Sequence, residues 1–494
     1  MSSGGALGDA VAAALPPVEF NAFADLAEGY STNAGGFSGG GQGDDTFTRG
    51  RIGLDLNYLK PRLQANASYL LTGQYWSTYH RLNHLSHRLN LTSRTVLVPE
   101  MLFLNANAFA APADLTRVGD LSAGGEPISR YNTRDTYGYS VSPQFMLRFK
   151  DYLTSNLSAS QGGVFFVEPS AGNTGTPVPI DPARNSYSTT ISEQIASGSW
   201  FQQLSWSALG SYGQYSQTTR TQRQIEGIGN VTYAATRYLK LFVVGGYSDF
   251  HSTASLNEDL SGPTAMGGFT FSQGPALSFT FQAGTQHNFA TYTGSAQWEI
   301  SPLTRFIAQA TDGISTPQGD ILSRLGSTSW NNGSFNNGGF GAGSGTGYSP
   351  LNPGGLALDN SIYRMRSIEA SLIHSEGQMN YSLTAFGNER DRLDASPITG
   401  LKLRSSVYGL RGTVTRHLNP KTTATLSAAW SRGNEFGGHD NIVSADAAVN
   451  YQLSRHLELY LTNHLVHRSS QALISVPNRP LTEDQVLIGI RARL

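Results

Sequence analysis

Apolar and polar side chains alternate along this chain in recurring runs of about ten residues. In one of them Leu277, Phe279, Phe281 and Ala283 are interleaved with Ser278, Thr280 and Gln282. After a polar tip, Tyr292, Gly294, Ala296, Trp298 and Ile300 are interleaved with Thr293, Ser295, Gln297 and Glu299. Successive strand side chains point to opposite faces, so each run predicts a strand with one apolar and one wet face. The same pattern fills 52–58, 63–71, 101–110, 137–149, 152–160 and 203–212. It returns at the end of the sequence, where Val486, Ile488, Ile490, Ala492 and Leu494 share a face.

Tight turns separate some of these strands, at 60–62, 98–100, 150–151, 197–198, 236–240, 272–276, 301–304, 375–378, 417–421 and 453–456. Longer segments rich in Gly, Pro, Asn and Ser separate the others, near 31–47, 74–84, 112–132, 166–186, 252–262, 313–359, 388–400 and 466–482. Short turns alternating with long loops are the rhythm of an outer-membrane barrel. The prediction is an all-β, transmembrane, antiparallel up-and-down β-barrel of about 22 strands, between roughly 20 and 24, with both termini periplasmic. Residues 1–17 are expected to form an N-terminal periplasmic extension and 18–494 the barrel, with a long Gly-rich loop at 313–359. The last strand is expected to close on the first, 18–30, which removes the sheet edge. No segment reads as a second layer, so the apolar faces are assigned to lipid.

This assignment sorts the side chains. Tyr58, Phe149, Tyr152, Trp200, Tyr238 and Trp298 stand beside short turns and are expected in the aromatic girdle, with Phe279 facing lipid. Opposite the apolar rows fall Asp55, Asn57, Gln64, Asn66, Arg148, Gln297, Glu299, Arg305, Glu369, Arg411, Asp446, Glu458 and Arg491, the expected lumen lining. They form no ladder of one sign, so no strong ion filter is expected. A wall of Asn, Gln, Ser, Thr and Tyr suits sugar hydroxyls and equally suits plain solvated lining.

Composition narrows the class. Charged residues are 14% of 494, against ~25% in ordinary soluble domains. Net charge is -1, which gives no electrostatic case for nucleic acid. The absence of cysteine excludes thiol catalysis, disulfides and thiolate metal sites. No run approaches the ~18 apolar residues of a membrane helix. The first 17 residues show no basic region and no clear cleavage site of a signal peptide.

Three constellations are candidates for chemistry. His80, His84 and His87 lie close together, but in a loop entering a strand, where helical spacing loses its meaning, so no metal site is expected. The glycine run 338–347 neither follows a βα unit nor opens a helix, so it is no phosphate cradle. Within 331–355 two readings stand, an external flexible loop or a constriction folded into the lumen. Asp446, His464 and His467 lie on adjoining strands with nothing that marks a nucleophile, so no catalytic site is expected.

Several segments resemble the outer-membrane β-barrel proteins associated with PEP-CTERM/exosortase and exopolysaccharide systems. They are "VEFNAFADLAEGYSTN" (18–33), "LVPEMLFLNANAFAAP" (97–112), "YGYSVSPQFMLRFKDYLTSNLS" (137–158) and "NSYSTTISEQIASGSWFQQLSWSALGSY" (185–212). Pro99, Leu102, Phe103, Leu104 and Ala106, followed by the "SVSP" strand, are the most distinctive. The terminal Leu494 departs from the Phe with which outer-membrane proteins usually end. The resemblance implies a bacterial outer-membrane location and a role in envelope export. It supplies no catalytic residues and no cofactor. Two functions follow as expectations: a channel or export conduit for exopolysaccharide, working with periplasmic export components, or a structural or binding barrel with a filled lumen and partner-contacting loops.

Overall fold

A computed structural model describes residues 18–34, 43–114, 133–167, 184–218, 220–256, 259–324, 361–394, 404–435, 438–471 and 481–494. Twenty-two strands follow one another: β1 (Val18–Ser31), β2 (Asp45–Lys60), β3 (Leu63–Trp76), β4 (His84–Val98), β5 (Leu102–Asp114), β6 (Thr133–Phe149), β7 (Leu153–Val167), β8 (Ser186–Ser197), β9 (Leu204–Gln217), β10 (Arg220–Ala234) and β11 (Leu239–Ser252). The second half continues with β12 (Gly262–Gln273), β13 (Leu277–Gln286), β14 (Phe289–Ser301), β15 (Thr304–Ser315), β16 (Tyr363–Glu376), β17 (Met379–Arg392), β18 (Arg404–Asn419), β19 (Thr422–Glu435), β20 (Gly438–Gln452), β21 (Leu457–Gln471) and β22 (Leu481–Arg493). A 3₁₀ turn (His80–Leu82) precedes β4, and among the described residues one helix, α1 (Pro317–Arg324), follows β15.

Each strand pairs antiparallel with the next, and β22 pairs with β1 from Phe23↔Arg493 to Ser31↔Gln485. The sheet is therefore a closed ring with no unpaired edge, as membrane-spanning strands require. The connections at one end are short throughout. Gly274 (φ 65°) and Gly377 (φ 56°) supply the left-handed conformation that two of these turns need. Bulges sit beside three others, at Val96/Val98, Glu299/Ser301 and His417/Asn419. The other end differs from expectation in one respect. Three of its connections, β9–β10, β13–β14 and β19–β20, are tight rather than long. In the β13–β14 turn His287 and Asn288 both take positive φ, the conformation that matches the twist of a two-residue hairpin. A barrel needs only its closure, so loop length is free to vary hairpin by hairpin.

One face of the ring carries large exposed apolar side chains around its circumference, among them Phe20 (62%), Val243 (62%), Ile368 (59%) and Ile488 (61%). Phe269, Phe279 and Phe281 pack on that face, with ring centroids 5.5 and 6.5 Å from Phe269. A belt this extensive is far larger than the patches soluble monomers expose and is the surface of a transmembrane barrel. Toward the loop end charges replace it: Arg364 pairs with Asp312 at 2.5 Å, and Arg366 and Arg404 both reach Glu389 at 2.5 Å. Cross-strand pairing puts these side chains on the same face as Ile368, so the lattice marks the upper limit of the apolar belt.

Candidate functional site: the inner wall and its closure

The opposite face of the ring is the inner wall. The register places Asp55 opposite Ser68, Asn57 opposite Asn66 and Gln64 opposite Arg94. Arg148 stands opposite Thr154, Gln297 opposite Ser278, Glu299 opposite Arg305, and Glu369 opposite Gln309. Arg411 stands opposite Thr384, Asp446 opposite His464, and Glu458 opposite Arg491. At the short-turn rim the Tyr152 and Trp200 rings lie 5.7 Å apart, Lys60 lies over Tyr58 and Arg237 over Tyr238. Phe149 and Trp298 are exposed there, and Phe279 is exposed on the outer face.

Only some of these residues are brought together. Where β22 closes on β1, the buried Asp25 carboxylate accepts Arg51 Nε and Nη2, both at 3.0 Å, and the Tyr460 hydroxyl at 2.9 Å. Arg491 Nη2 lies 3.5 Å from it, and that guanidinium sits over the Phe23 and Tyr460 rings at 5.1 and 5.5 Å. Arg493 reaches Glu458 at 2.5 Å. Gly53 and Gly489 let the Phe23 and Tyr460 rings lie flat on the wall, because a Cβ there would meet them at 2.0 and 2.4 Å. This cluster joins β1, β2, β21 and β22, and its chemistry is that of a staple at the seam. Asp25, Arg51 and Tyr460 escaped the sequence analysis, although the alternation of Phe23, Asp25 and Ala27 against Leu26 carries the signal. Asp25→Ala leaves the arginines without their carboxylate and is expected to cost about 3–5 kcal/mol of stability. Tyr460→Phe removes two hydrogen bonds, the one donated to Asp25 and the one accepted from Arg49 Nη2 at 3.4 Å, and is expected to cost about 1–3 kcal/mol. Urea unfolding in micelles, followed by tryptophan fluorescence, measures both; equal midpoints for the two variants would contradict the assigned role.

Asp446 accepts Ser427 Oγ at 3.2 Å and a short bond with His464 Nδ1. In a nucleophilic triad the imidazole stands between serine and carboxylate. Here the carboxylate stands between the other two, and His464 Nε2 is buried without a partner among the described residues. His467 lies on the other face, bonded to Thr482 at 2.8 Å. The three histidines near β4 go separate ways: His80 Nδ1 to Trp76 O and His84 Nδ1 to Leu82 O, both 2.9 Å, and His87 Nε2 to the Tyr137 hydroxyl at 2.7 Å.

The inner wall differs between its two ends. Toward the short turns Glu299, Arg305, Gln309 and Glu369 are exposed on it, a polar wall open to solvent. Toward the loop end, among the described residues, three apolar clusters pack on it. In the first, α1 lies on the inner wall: Ile321 and Leu322 pack on Phe109, Ala111, Val164 and Phe166 of β5 and β7. Thr316 caps this helix, its hydroxyl accepting Gly319 N at 3.0 Å. Because α1 leaves the end of β15, that docking bridges strands far apart on the ring. In the second, Phe250, Leu260, Ile362 and Leu393 meet with Leu256, Phe289 and Ile314. Asp394 locks this cluster by a bridge to Leu256 and ion pairs with Arg220 (2.8 Å) and Arg392 (2.9 Å). In the third, Phe47 and Trp76, 4.6 Å apart, pack with Leu82, Tyr460 and Leu487. Asp45 holds the turn after β3 by accepting Thr78 N and Tyr79 N at 3.0 and 2.9 Å.

The segment 331–355, considered as a constriction, lies outside the described residues. Helix α1, which the sequence analysis passed over as part of a loop, is described and lies against the inner wall. Its signal was present in Thr316-Pro317, a cap followed by the residue favoured at the first helical position.

No family model matches this chain, and no curated protein matches it. Among solved structures it is similar to the siderophore receptor PirA from Acinetobacter baumannii, at 8% identity and a TM-score of 0.48 over 96% of this chain and 80% of that one. It is also similar to the FrpB iron transporter from Neisseria meningitidis (F5-1 variant), at 9% identity and 0.47 over 96% and 82%. A third is the pyoverdine outer membrane receptor FpvA from Pseudomonas aeruginosa PAO1, at 10% identity and 0.45 over 97% and 79%. At these identities and scores, nothing about ligand or partner passes from those proteins to this one.

Proposed function

We propose that this protein is a gated transport barrel of the bacterial outer membrane, with both termini on the periplasmic side. One observation carries the reading: the inner wall is polar and open toward the short turns, and is covered in places by docked side chains and α1 toward the loops. We read the short helix and the loop-end side chains as the gate, because their apolar contacts can be broken while the strand pairing of the ring is kept. The cargo we assign is an uncharged polyhydroxylated polymer, an exopolysaccharide moving outward and delivered by periplasmic export components. Support comes from a wall whose charges are of both signs, with carboxamides and hydroxyls between them, and from the segments that resemble exopolysaccharide-associated barrels. Outer-membrane lipid is the partner of the apolar belt.

The same clusters favour a second reading, a permanently filled barrel that serves as a structural or binding element. Planar-bilayer recordings separate the two. The native chain is expected to open rarely. Ile321→Glu combined with Leu322→Glu places carboxylates against Phe109, Val164 and Phe166, undocks α1 and is expected to give larger, more frequent openings. Removing 331–355 is expected to act in the same direction. Unchanged conductance in both variants, with the barrel still folded, would establish the filled barrel instead.

A further inference from the structure

A cavity of about 310 Å³ lies beneath α1, against the inner faces of β6–β11. Two neighbouring cross-strand rows floor it. The first runs through Ser160, Thr190, Gly213, Gln224 and Phe250. The second runs through Ser140, Gly162, Ser188, Tyr215 and Gln222. Leu322 and Gly319 of α1 border it from the lumen side.

The chemistry of this cavity is uniform. Its inward side chains offer hydroxyls and carboxamides together with Phe250, Tyr215 and Leu322. Arg223 borders it without aiming a charge into it, since its guanidinium lies 5.5 Å from the ring of Tyr212. Cross-strand pairing puts Tyr212 on the face of Ile225, the outer one. Gly213 leaves the floor open, because a Cβ there would meet only Thr190 Oγ1 at 4.0 Å. Gln222 is 7% exposed, and its Nε2 is buried with no hydrogen-bond partner among the described residues. A buried amide donor without a partner costs about 1–3 kcal/mol, a cost a fold avoids unless something else meets that donor.

We infer that this cavity is a saccharide-binding subsite, taking roughly one or two rings of a neutral glycan. A pyranose presents hydroxyls at its edge and C–H groups on its face. The edge meets Gln222, Gln224 and the serine and threonine hydroxyls, and the face meets Phe250 and Leu322. A phosphorylated or carboxylated ligand would bury its charge against inward side chains that carry no cation, Arg223 being turned toward Tyr212. The inference rests on the transport reading only for the role of the subsite, which is to hold the chain beside the gate formed by α1.

Titration calorimetry on the full chain in detergent micelles tests it, with maltotetraose, cellotetraose and chitotetraose as neutral probes and tetragalacturonate as the charged one. At least one neutral probe is expected to bind about tenfold or more tighter than tetragalacturonate. Gln222→Ala and Gln224→Ala are each expected to weaken that binding by about tenfold, with heat-modifiable migration unchanged to show that the ring is intact. Absence of binding by all three neutral probes, or binding untouched by both substitutions, overturns the subsite. Binding by a barrel that never conducts upholds the subsite and removes the transport reading. Conductance without binding removes the subsite alone.

Discussion

Phe279→Arg is expected to abolish assembly of the barrel, while Thr280→Arg leaves it folded. The two residues are neighbours on β13 and differ only in the face they occupy. Phe279 stands opposite Phe271 and Ala296, with its ring against Phe269 on the apolar belt. A guanidinium there sits in hydrocarbon and costs about 2–4 kcal/mol near the midplane, besides the lost packing. The Thr280 hydroxyl pairs with that of Thr270 at 3.1 Å on the inner wall, where an arginine finds water and polar partners. Trp298→Arg is expected to fall between them, because Trp298 lies nearer the short-turn rim, where the cost declines toward ~0–1 kcal/mol. Folding into lipid vesicles, read as heat-modifiable migration on a cold gel, measures all three. Equal tolerance at Phe279 and Thr280 would sink the assignment of the faces.

Deleting Arg491 to Leu494 is expected to prevent insertion altogether. These residues pair Asp25, Ala24 and Phe23 with Arg491, Ala492 and Arg493, and Leu494 N donates to Ala22 O at 2.8 Å. Without them the start of β1 presents open backbone groups to hydrocarbon, each costing several kcal/mol. The truncation also removes Arg491 from Asp25 and Arg493 from Glu458. The double substitution Arg491→Gln and Arg493→Gln separates the two contributions, since it keeps the backbone ladder. It is expected to insert with lowered stability. A folded, heat-modifiable band for the truncation would show that the seam closes without its last residues.

Much of the architecture was legible in advance. The alternation at 277–283 and 292–300 gave β13 and β14 their two faces, and the turn residues at Lys60-Pro61-Arg62 and Lys150-Asp151 gave the short-turn end. The terminal apolar row of Val486, Ile488 and Ile490 pointed to the strand that closes the ring. The loop end was less legible. The tight β9–β10, β13–β14 and β19–β20 connections carry no long run of Gly or Pro to announce them, and the helical start at Thr316-Pro317 was hidden within a loop rich in both.

What the sequence determined by itself is therefore the part that depends on near neighbours: period-two alternation, turn chemistry and a terminal strand that needs a partner. A strand face is decided by parity, and parity is local. Which side chains meet inside the ring was decided only by the tertiary structure. Asp25 finds Tyr460 across 435 positions of sequence, Ile321 finds Phe166, and Asp394 finds Arg220. These meetings depend on ring closure, on register and on how far the loop ends lean inward, and no spacing along the chain encodes those quantities. The lumen is a property of the closed sheet, so its contents become readable only once all 22 strands are in place.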